Sequence, residues 1–378
     1  YVLLTGGTGL LGRYLIRDLT DRGVRLALLV RPTRKMSAEQ RVDALMATWE
    51  AQLRRSLARP HVIDADLTKP DLGLDDLDRE WIEEHCDTVL HNAASLVFHA
   101  TAPDGEPWRS NVDGTRAVLE LCRGTGIVNL HHVSTAYVCG LRNDRVLESQ
   151  LDVGQEPGND YERSKVAAEE LIHEADFLAP PTVYRPSIII GDSSNGFSTT
   201  FHGFYAALRL AHTLWQAASA AEEQPVAGSQ VPTRLTLDGK ERKNLVTVDW
   251  VSRAIAEILV RPECHGQTFH LTSPRPVTTK VMSEVLEQVM VAGVQPVQHR
   301  RGLHAEQVLR AIAVPVRDDR LLVRPLELPP RDHHAALLRR QVHKLCIERR
   351  RQAAGRDACD ECCVSRRPPL SPRQPAKV

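Results

Sequence analysis

Neither sign of charge dominates this chain. Its 48 Lys and Arg residues offset 48 Asp and Glu residues, for a formal net charge of +0. That balance removes the global electrostatic case for nucleic acid or a membrane surface as partner. No apolar stretch is long enough to span a bilayer, so no membrane span is expected. No signal peptide is visible, because the first residues already read as a strand. The chain starts at Tyr1 and not at Met, which leaves room for a targeting segment ahead of it. The eight cysteines form no disulfide framework. Cys86, Cys122, Cys139 and Cys264 fall singly in or beside predicted elements, and are expected to be reduced thiols of a cytoplasmic protein. Cys359, Cys362 and Cys363 make a C-x-x-C-C cluster, but Cys346 and His343 do not complete it into a zinc pattern, so no metal is expected. No internal repeat is apparent.

What is present is an ordinary globular composition, 42% hydrophobic and 25% charged. The 378 residues suffice for one large α/β domain and a smaller lobe. Residues 1–4 read as a short apolar strand, which runs into Thr5-Gly6-Gly7-Thr8-Gly9-Leu10-Leu11-Gly12 and then into a helix. The glycines at 6, 9 and 12 fit T-G-x-x-G-x-x-G. The first permits a tight turn, the second lets backbone approach a pyrophosphate, and the third lets helix pack closely on strand. The N–H groups at the start of that helix complete an anion site, which assigns Thr8, Leu10 and Leu11 to the cofactor together with the three glycines. Far downstream, Tyr161-Glu162-Arg163-Ser164-Lys165 forms Y-x-x-x-K. One helical turn separates Tyr161 from Lys165, so the two share a face. A free phenol titrates near 10, and a neighbouring ammonium favours its ionised form. Together the two motifs resemble the short-chain dehydrogenase/reductase superfamily in its extended form.

Strand and helix signals alternate through the first half. Strands are predicted at 1–4, 25–30, 61–65, 88–90, 128–133 and 182–184, and helices at 10–21, 37–57, 111–124 and 161–175. This alternation implies an α/β, Rossmann-type doubly wound parallel sheet, with ligand outside the carboxyl ends of the strands. Gly191–Thr200 reads as a loop, Phe204–Ala221 as an apolar-rich helix, Leu245–Val248 as a strand, Asp249–Val260 as a helix, Phe269–Thr272 as a strand and 278–292 as a helix. Residues 1–190 are therefore expected to form the dinucleotide-binding domain. Residues 191–298 would form a smaller C-terminal substrate lobe, interleaved with the last strands of the sheet. Residues 299–378, rich in Arg, His and Pro, read as a basic, poorly ordered tail.

The second strand ends Leu29-Val30-Arg31-Pro32. Arg31 stands where an acidic residue would hold a ribose 2′-hydroxyl. A cation there suits a 2′-phosphate, with Arg34 or Lys35 in support, and favours NADP(H). The resemblance to the superfamily places further residues. It implies that Asp66 and Leu67 contact adenine, and that Asn92, Ala93 and Ala94 line the cofactor. It implies that Asn111, in an N-V-x-G-T helix, supports the active site, and that Pro186 and Ser187 pass over the nicotinamide. Counting back from Gly140 by the same likeness selects Thr135 as the catalytic hydroxyl, with Ser134 as the alternative. His91, His131 and His132 fall on or beside core strands and read as packed or hydrogen-bonded side chains.

The series Leu29-Val30-Arg31, Asp66-Leu67-Thr68-Lys69-Pro70-Asp71-Leu72-Gly73-Leu74, His91-Asn92-Ala93-Ala94 and His132-Val133-Ser134-Thr135-Ala136-Tyr137 resembles the thioester reductase and fatty acyl-CoA reductase branch over roughly residues 1–295. That likeness implies NADPH-dependent reduction of an acyl thioester, bound to CoA or a carrier protein, to aldehyde or alcohol. The acyl group would arrive from a separate acyl carrier protein or another part of the gene. Three other readings stand beside it: a ketone or aldehyde reductase of the steroid or flavonoid type, a nucleotide-sugar epimerase or dehydratase, and a non-catalytic NADP-binding regulator.

Overall fold

The apolar tetrapeptides of the N-terminal half sit side by side as a seven-stranded parallel sheet. A computed structural model describes residues 1–199, 205 and 238–285. Its strands are β1 (Val2–Thr5), β2 (Leu26–Val30), β3 (His61–Asp64), β4 (Thr88–His91), β5 (Asn129–Val133), β6 (Thr182–Pro186) and, after three short strands outside this sheet, β10 (Thr268–Leu271). Their order is β10-β6-β5-β4-β1-β2-β3. β1 lies centrally, in register with β2 through Leu4↔Leu28 and with β4 through Leu4↔Leu90. The chain runs outward from β1 to β3 and then returns to β4 on the other side of β1. That reversal opens a crevice at the carboxyl ends of β1 and β4.

Helices cover both faces because strands buried on both sides need two apolar partners. They are α1 (Leu10–Thr20), α2 (Ala38–Leu53), α3 (Asp76–His85), α4 (Gly114–Thr125), α5 (Asp160–Glu174) and α6 (Val248–Leu259). On one face a continuous cluster joins Leu3, Leu29, Ile63 and Val89 of the sheet to Val118, Leu119 and Cys122 of α4. On the other, α1 packs along α6. There Ser252 Oγ donates to Asp18 Oδ2 at 2.7 Å, both groups being buried, so their polarity is satisfied where the helices meet.

Two features were not foreseen. α3 was not anticipated because its sequence buries Ile82 alone and gives little periodic signal; it is fixed instead at its start, where Asp75 accepts from the Asp78 N–H at 2.8 Å. Beyond Pro186, β7 (Ile188–Ile190) pairs in parallel with β9 (Leu245–Thr247) in a separate two-stranded sheet, and β8 (Arg242–Lys243) pairs antiparallel with β11 (Val277–Thr278). The segment expected at 278–292 is helical from 279 to 285. The helix expected at Phe204–Ala221, apart from Tyr205, and the tail from 299 lie outside the described residues. Cys86, Cys122 and Cys139 are free thiols. Cys264 departs from expectation, since its sulfur is in a disulfide; a cysteine standing singly in the sequence carries no signal of pairing. Among the described residues no helix is long and apolar enough to cross a membrane.

Candidate functional site

The glycine turn divides its labour in a way that can be read from what a Cβ would meet. At Gly6, φ is +69°, and an added Cβ would lie 2.7 Å from Ala93 N and Cα. At Gly12 it would lie 2.1 Å from the Gly6 carbonyl oxygen. Both positions are closed to any side chain by backbone. At Gly9 the nearest atom would be Gly6 O at 3.4 Å; the missing side chain there leaves space outside the protein. Gly9 also caps α1 without any side-chain hydrogen bond, and no acidic residue occupies the first turn of α1. Backbone N–H groups and the positive end of the helix therefore face that space. Thr8 and Leu10 flank it, half-buried, while Leu11 turns its side chain into the core. This cradle fits the pyrophosphate of a dinucleotide.

The loop after β4 is bonded to the same turn. Asn92 Nδ2 donates to Gly6 O, and the N–H groups of Asn92 and Ala93 both donate to Thr5 Oγ1, each at 3.1 Å. Ala94 is exposed beside them. Arg31 is exposed at the end of β2. Its support comes from a residue that the sequence reading missed. Arg41 donates to the Arg31 carbonyl and, at 2.9 Å, to Thr8 Oγ1. Burial, with the Arg31 charge added, pushes Arg41 below its usual value. Among the described residues neither guanidinium lies within ion-pair distance of a carboxylate, although the Arg31 charge helps to lower the Asp66 carboxyl. Arg34 and Lys35 instead belong to an exposed turn organised by the Thr33 hydroxyl. The available signal for Arg41 was the S-x-x-Q capping box at Ser37 and Gln40, which starts α2 and so fixes where its first turn lies. Asp66 receives both the N–H and the hydroxyl of Thr68, at 3.0 and 2.8 Å. Burial pushes its carboxyl up, but these bonds outweigh it and hold the group below its ordinary value. Leu67 packs against the core.

The second half of the site is one face of α5. Asn159 caps this helix, accepting from the Glu162 N–H at 3.0 Å. Tyr161, Lys165 and Glu169 then follow at intervals of four and stack along one side. Tyr161 meets Phe98 edge-on, with ring centroids 5.7 Å apart. Its phenol is pushed up to about 12, by burial first, with a hydrogen bond to Thr135 working the other way. Thr135 follows β5, accepts from the Tyr137 N–H at 3.2 Å and lies 3.5 Å from Pro186 O. Ser134, its neighbour, points oppositely by the alternation of extended chain. It is buried next to Glu169, and its hydroxyl has no well-formed hydrogen bond. Thr135 and Tyr161 are thus brought together, and Ser134 is not with them. Ser187 faces the smaller sheet, donating to Asn244 Oδ1 at 2.8 Å.

Lys165 is buried and donates to Val133 O at 2.9 Å and to His132 Nε2 at 3.3 Å. Burial lowers it to about 8, and Glu169 opposes that fall. Asn111 lies in a π-turn, Arg109–Asp113, ahead of α4. Such local widenings of a helix are frequent at functional sites. Asn111 accepts from the Ser95 N–H at 2.7 Å and donates to Ser164 Oγ at 2.8 Å, and Ser164 donates to Tyr161 O at 2.8 Å. Asn111 therefore fixes the β4 loop and α5 together. Beneath them Glu169 and Arg185 form a buried ion pair, with the Arg185 Nε 3.0 Å from Glu169 Oε1. Among the described residues no group of three or more His, Cys, Asp or Glu side chains is placed to hold a metal ion.

Comparison with known proteins identifies relatives of the chain as a whole. Residues 4–255 match the NAD-binding family described as "Male sterility protein". A nonribosomal peptide synthetase of Aspergillus flavus, asaC, is 27% identical over 73% of this chain and 26% of its own length. The carboxylic acid reductase of Mycobacterium marinum is 28% identical over 72% of this chain and 24% of its own length. The chain thus spans about a quarter of the length of these curated relatives. Among solved structures, the terminal R domain from the myxalamid PKS-NRPS biosynthetic pathway superposes with a TM-score of 0.60 and 27% identity, covering 82% of this chain and 77% of that domain.

Proposed function

This chain belongs to the NAD-binding family of the male sterility protein, in the thioester reductase branch of the extended short-chain dehydrogenases/reductases, and from that membership we propose that it is an NADPH-dependent reductase of acyl thioesters. The observation that carries the proposal is the meeting of Thr135 and Tyr161 at the carboxyl end of β5, beside the crevice bordered by the glycine turn. The relatives named above include a carboxylic acid reductase and a synthetase reductase domain, which supports a carrier-bound or CoA-bound acyl substrate over a free ketone. Carriage by a separate acyl carrier protein belongs to the same proposal.

A bound NADPH supplies the hydride. The chain's own residues do the rest. The glycine turn and the N-terminus of α1 bind the pyrophosphate, and Arg31 with Arg41 receive the 2′-phosphate, which favours NADP(H) over NAD(H). Thr135 and Tyr161 donate hydrogen bonds to the thioester carbonyl oxygen, where negative charge develops. A phenol held near 12 keeps its proton at neutral pH, so Tyr161 is poised to give that proton to the oxygen. The resulting hemithioacetal breaks its C–S bond, yielding an aldehyde and a free thiol. Lys165 has three donors, two of them used on β5, which leaves one for the ribose hydroxyls.

The test is NADPH oxidation against acyl-CoA and acyl-pantetheine thioesters, with matched ketones and aldehydes, in the wild type and in Tyr161→Phe. Thioester-dependent oxidation with stoichiometric thiol release, reduced by about a hundredfold or more in the variant, is the expected outcome. Turnover of ketones alone would assign the chain to carbonyl reduction. NAD(H) retained through purification would favour an epimerase or dehydratase, and NADPH binding without turnover a regulator.

A further inference from the structure

We propose that His132 is a positioning residue for Lys165, whose Nε2 lone pair holds the ammonium in its working place; the inference rests on the catalytic reading of Lys165 given above. Lys165 Nζ reaches two acceptors, Val133 O at 2.9 Å and His132 Nε2 at 3.3 Å. Both belong to the last two residues of β5, so the strand that delivers Thr135 also fixes Lys165. His132 is fully buried. Its ring stacks on His91 with centroids 5.3 Å apart.

The two stacked histidines are wired differently, and the difference identifies the role. His91 has a partner on each ring nitrogen: Thr5 Oγ1 on Nδ1 at 2.8 Å and Thr115 Oγ1 on Nε2 at 3.1 Å. Thr115 donates its own proton to Asn111 O at 2.6 Å, so it must accept from His91 Nε2–H. Thr5 must then donate to His91 Nδ1 while it accepts the two amides of the β4 loop. His91 is accounted for as structure. His132 is not. Facing an ammonium, its Nε2 must be the acceptor, which puts the single proton of the neutral ring on Nδ1. That Nδ1 is buried without a hydrogen-bond partner. An unpaired buried donor costs stability, and a phenylalanine would fill the same place without that cost. The imidazole is explained by the contact it does make, with Lys165. Burial and the Lys165 charge keep the ring neutral, as an acceptor must be.

The test compares His132→Phe, which keeps the ring shape and removes the acceptor, with His132→Gln, whose amide oxygen can stand in for Nε2. Thioester-dependent NADPH oxidation, NADPH binding and thermal melting are read for each, alone and in Lys165→Met. His132→Phe is expected to lower kcat by about ten- to a hundredfold with little change in substrate KM. His132→Gln should recover most of that loss, and His132→Phe should cost nothing further once Lys165 is Met. Equal loss in the Phe and Gln variants, or losses that multiply in the Lys165→Met background, would overturn the proposal. Full activity of Lys165→Met would instead defeat the catalytic reading on which it rests. A measurement needing no folded variant is the ring-nitrogen spectrum of 15N-histidine-labelled wild type. His132 should carry its proton on Nδ1 and His91 on Nε2, and a proton on His132 Nε2 would refute the contact.

Discussion

The two halves of the site are built from opposite materials. The nucleotide side is made of backbone: three glycines, helix N–H groups and a loop hydrogen-bonded to Gly6, with no room for a Cβ between them. The α5 side is made of buried charge. Lys165, Glu169 and Arg185 all lie under the sheet's carboxyl edge with almost no exposure. A backbone site is specified by exclusion, because any Cβ in the wrong place meets an atom that cannot move. A charged site is specified by partnership, since each ion is tolerable only while its neighbours stay. The first should therefore fail by steric clash, insensitive to pH, and the second by loss of a partner, with a pH signature.

The largest effect is expected on the backbone side. Gly12→Ala places a carbon 2.1 Å from Gly6 O, and neither group can yield without separating α1 from β1. Loss of NADPH binding and a melting temperature lowered by well over ten degrees are expected, read by fluorescence titration and calorimetry. Gly9→Ala is the contrast. With only Gly6 O near, at 3.4 Å, the protein should melt like the wild type and still lose NADPH affinity. If the two variants behaved alike, the division of labour among the glycines would be wrong.

On the charged side Glu169→Gln comes next. It leaves the Arg185 guanidinium buried without its counter-ion, at a cost of about 3 kcal/mol. Burial pushes the Glu169 carboxyl up, but bonds from His173 and Arg185 prevail and lower it from 4.5 to about 2. A carboxyl depressed by folding stabilises fully above its unfolded value, and that stabilisation drains away as pH falls from about 4.5 towards 2. Melting curves over that range should therefore steepen in the wild type and flatten in Glu169→Gln. Parallel curves would show that the pair contributes nothing to acid stability.

The same contrast explains what could be read in advance. β1 and the glycine turn are local: an apolar run of four residues and a fixed glycine spacing determine them. Choosing between Ser134 and Thr135 on physical grounds needs the phase of the pleat, because adjacent residues of extended chain face opposite sides. That phase is set by pairing of β5 with β6, a contact across more than fifty residues. Arg41 was hidden because it faces Arg31 only once α2 has folded back on β2. The pairing of Glu169 with Arg185, sixteen residues apart on a helix and a strand, is visible only in three dimensions. α3 carries too few apolar residues to show a helical period, and β7 is three residues long, too short to alternate.

A smaller effect tests the cationic end of the nucleotide side. Arg31→Ala should raise the Kd for NADPH roughly tenfold, about 1.5 kcal/mol for a hydrogen bond to a charged group, and leave the Kd for NADH unchanged. An equal loss for both cofactors would mean that Arg31 does not meet a 2′-phosphate.

The smallest expected effect joins helix capping to cofactor choice. Ser37 accepts from the Gln40 N–H at 3.2 Å, and Gln40 Oε1 accepts from the Ser37 N–H at 3.0 Å. This reciprocal pair caps α2, whose fourth residue is Arg41, and the Arg41 guanidinium spans the Arg31 carbonyl and Thr8. Ser37→Ala removes one half of the pair and should cost about 1 kcal/mol of stability. Because the lost bond frays the turn that presents Arg41, NADPH affinity should fall slightly while NADH affinity holds. Restoring the cap with Ser37→Asp should recover the stability. The same replacement adds a negative charge beside the Arg31–Arg41 pair, so it should not recover the full preference for NADPH. Stability and cofactor preference would then separate at one position, as a site that reads charge on a backbone frame requires.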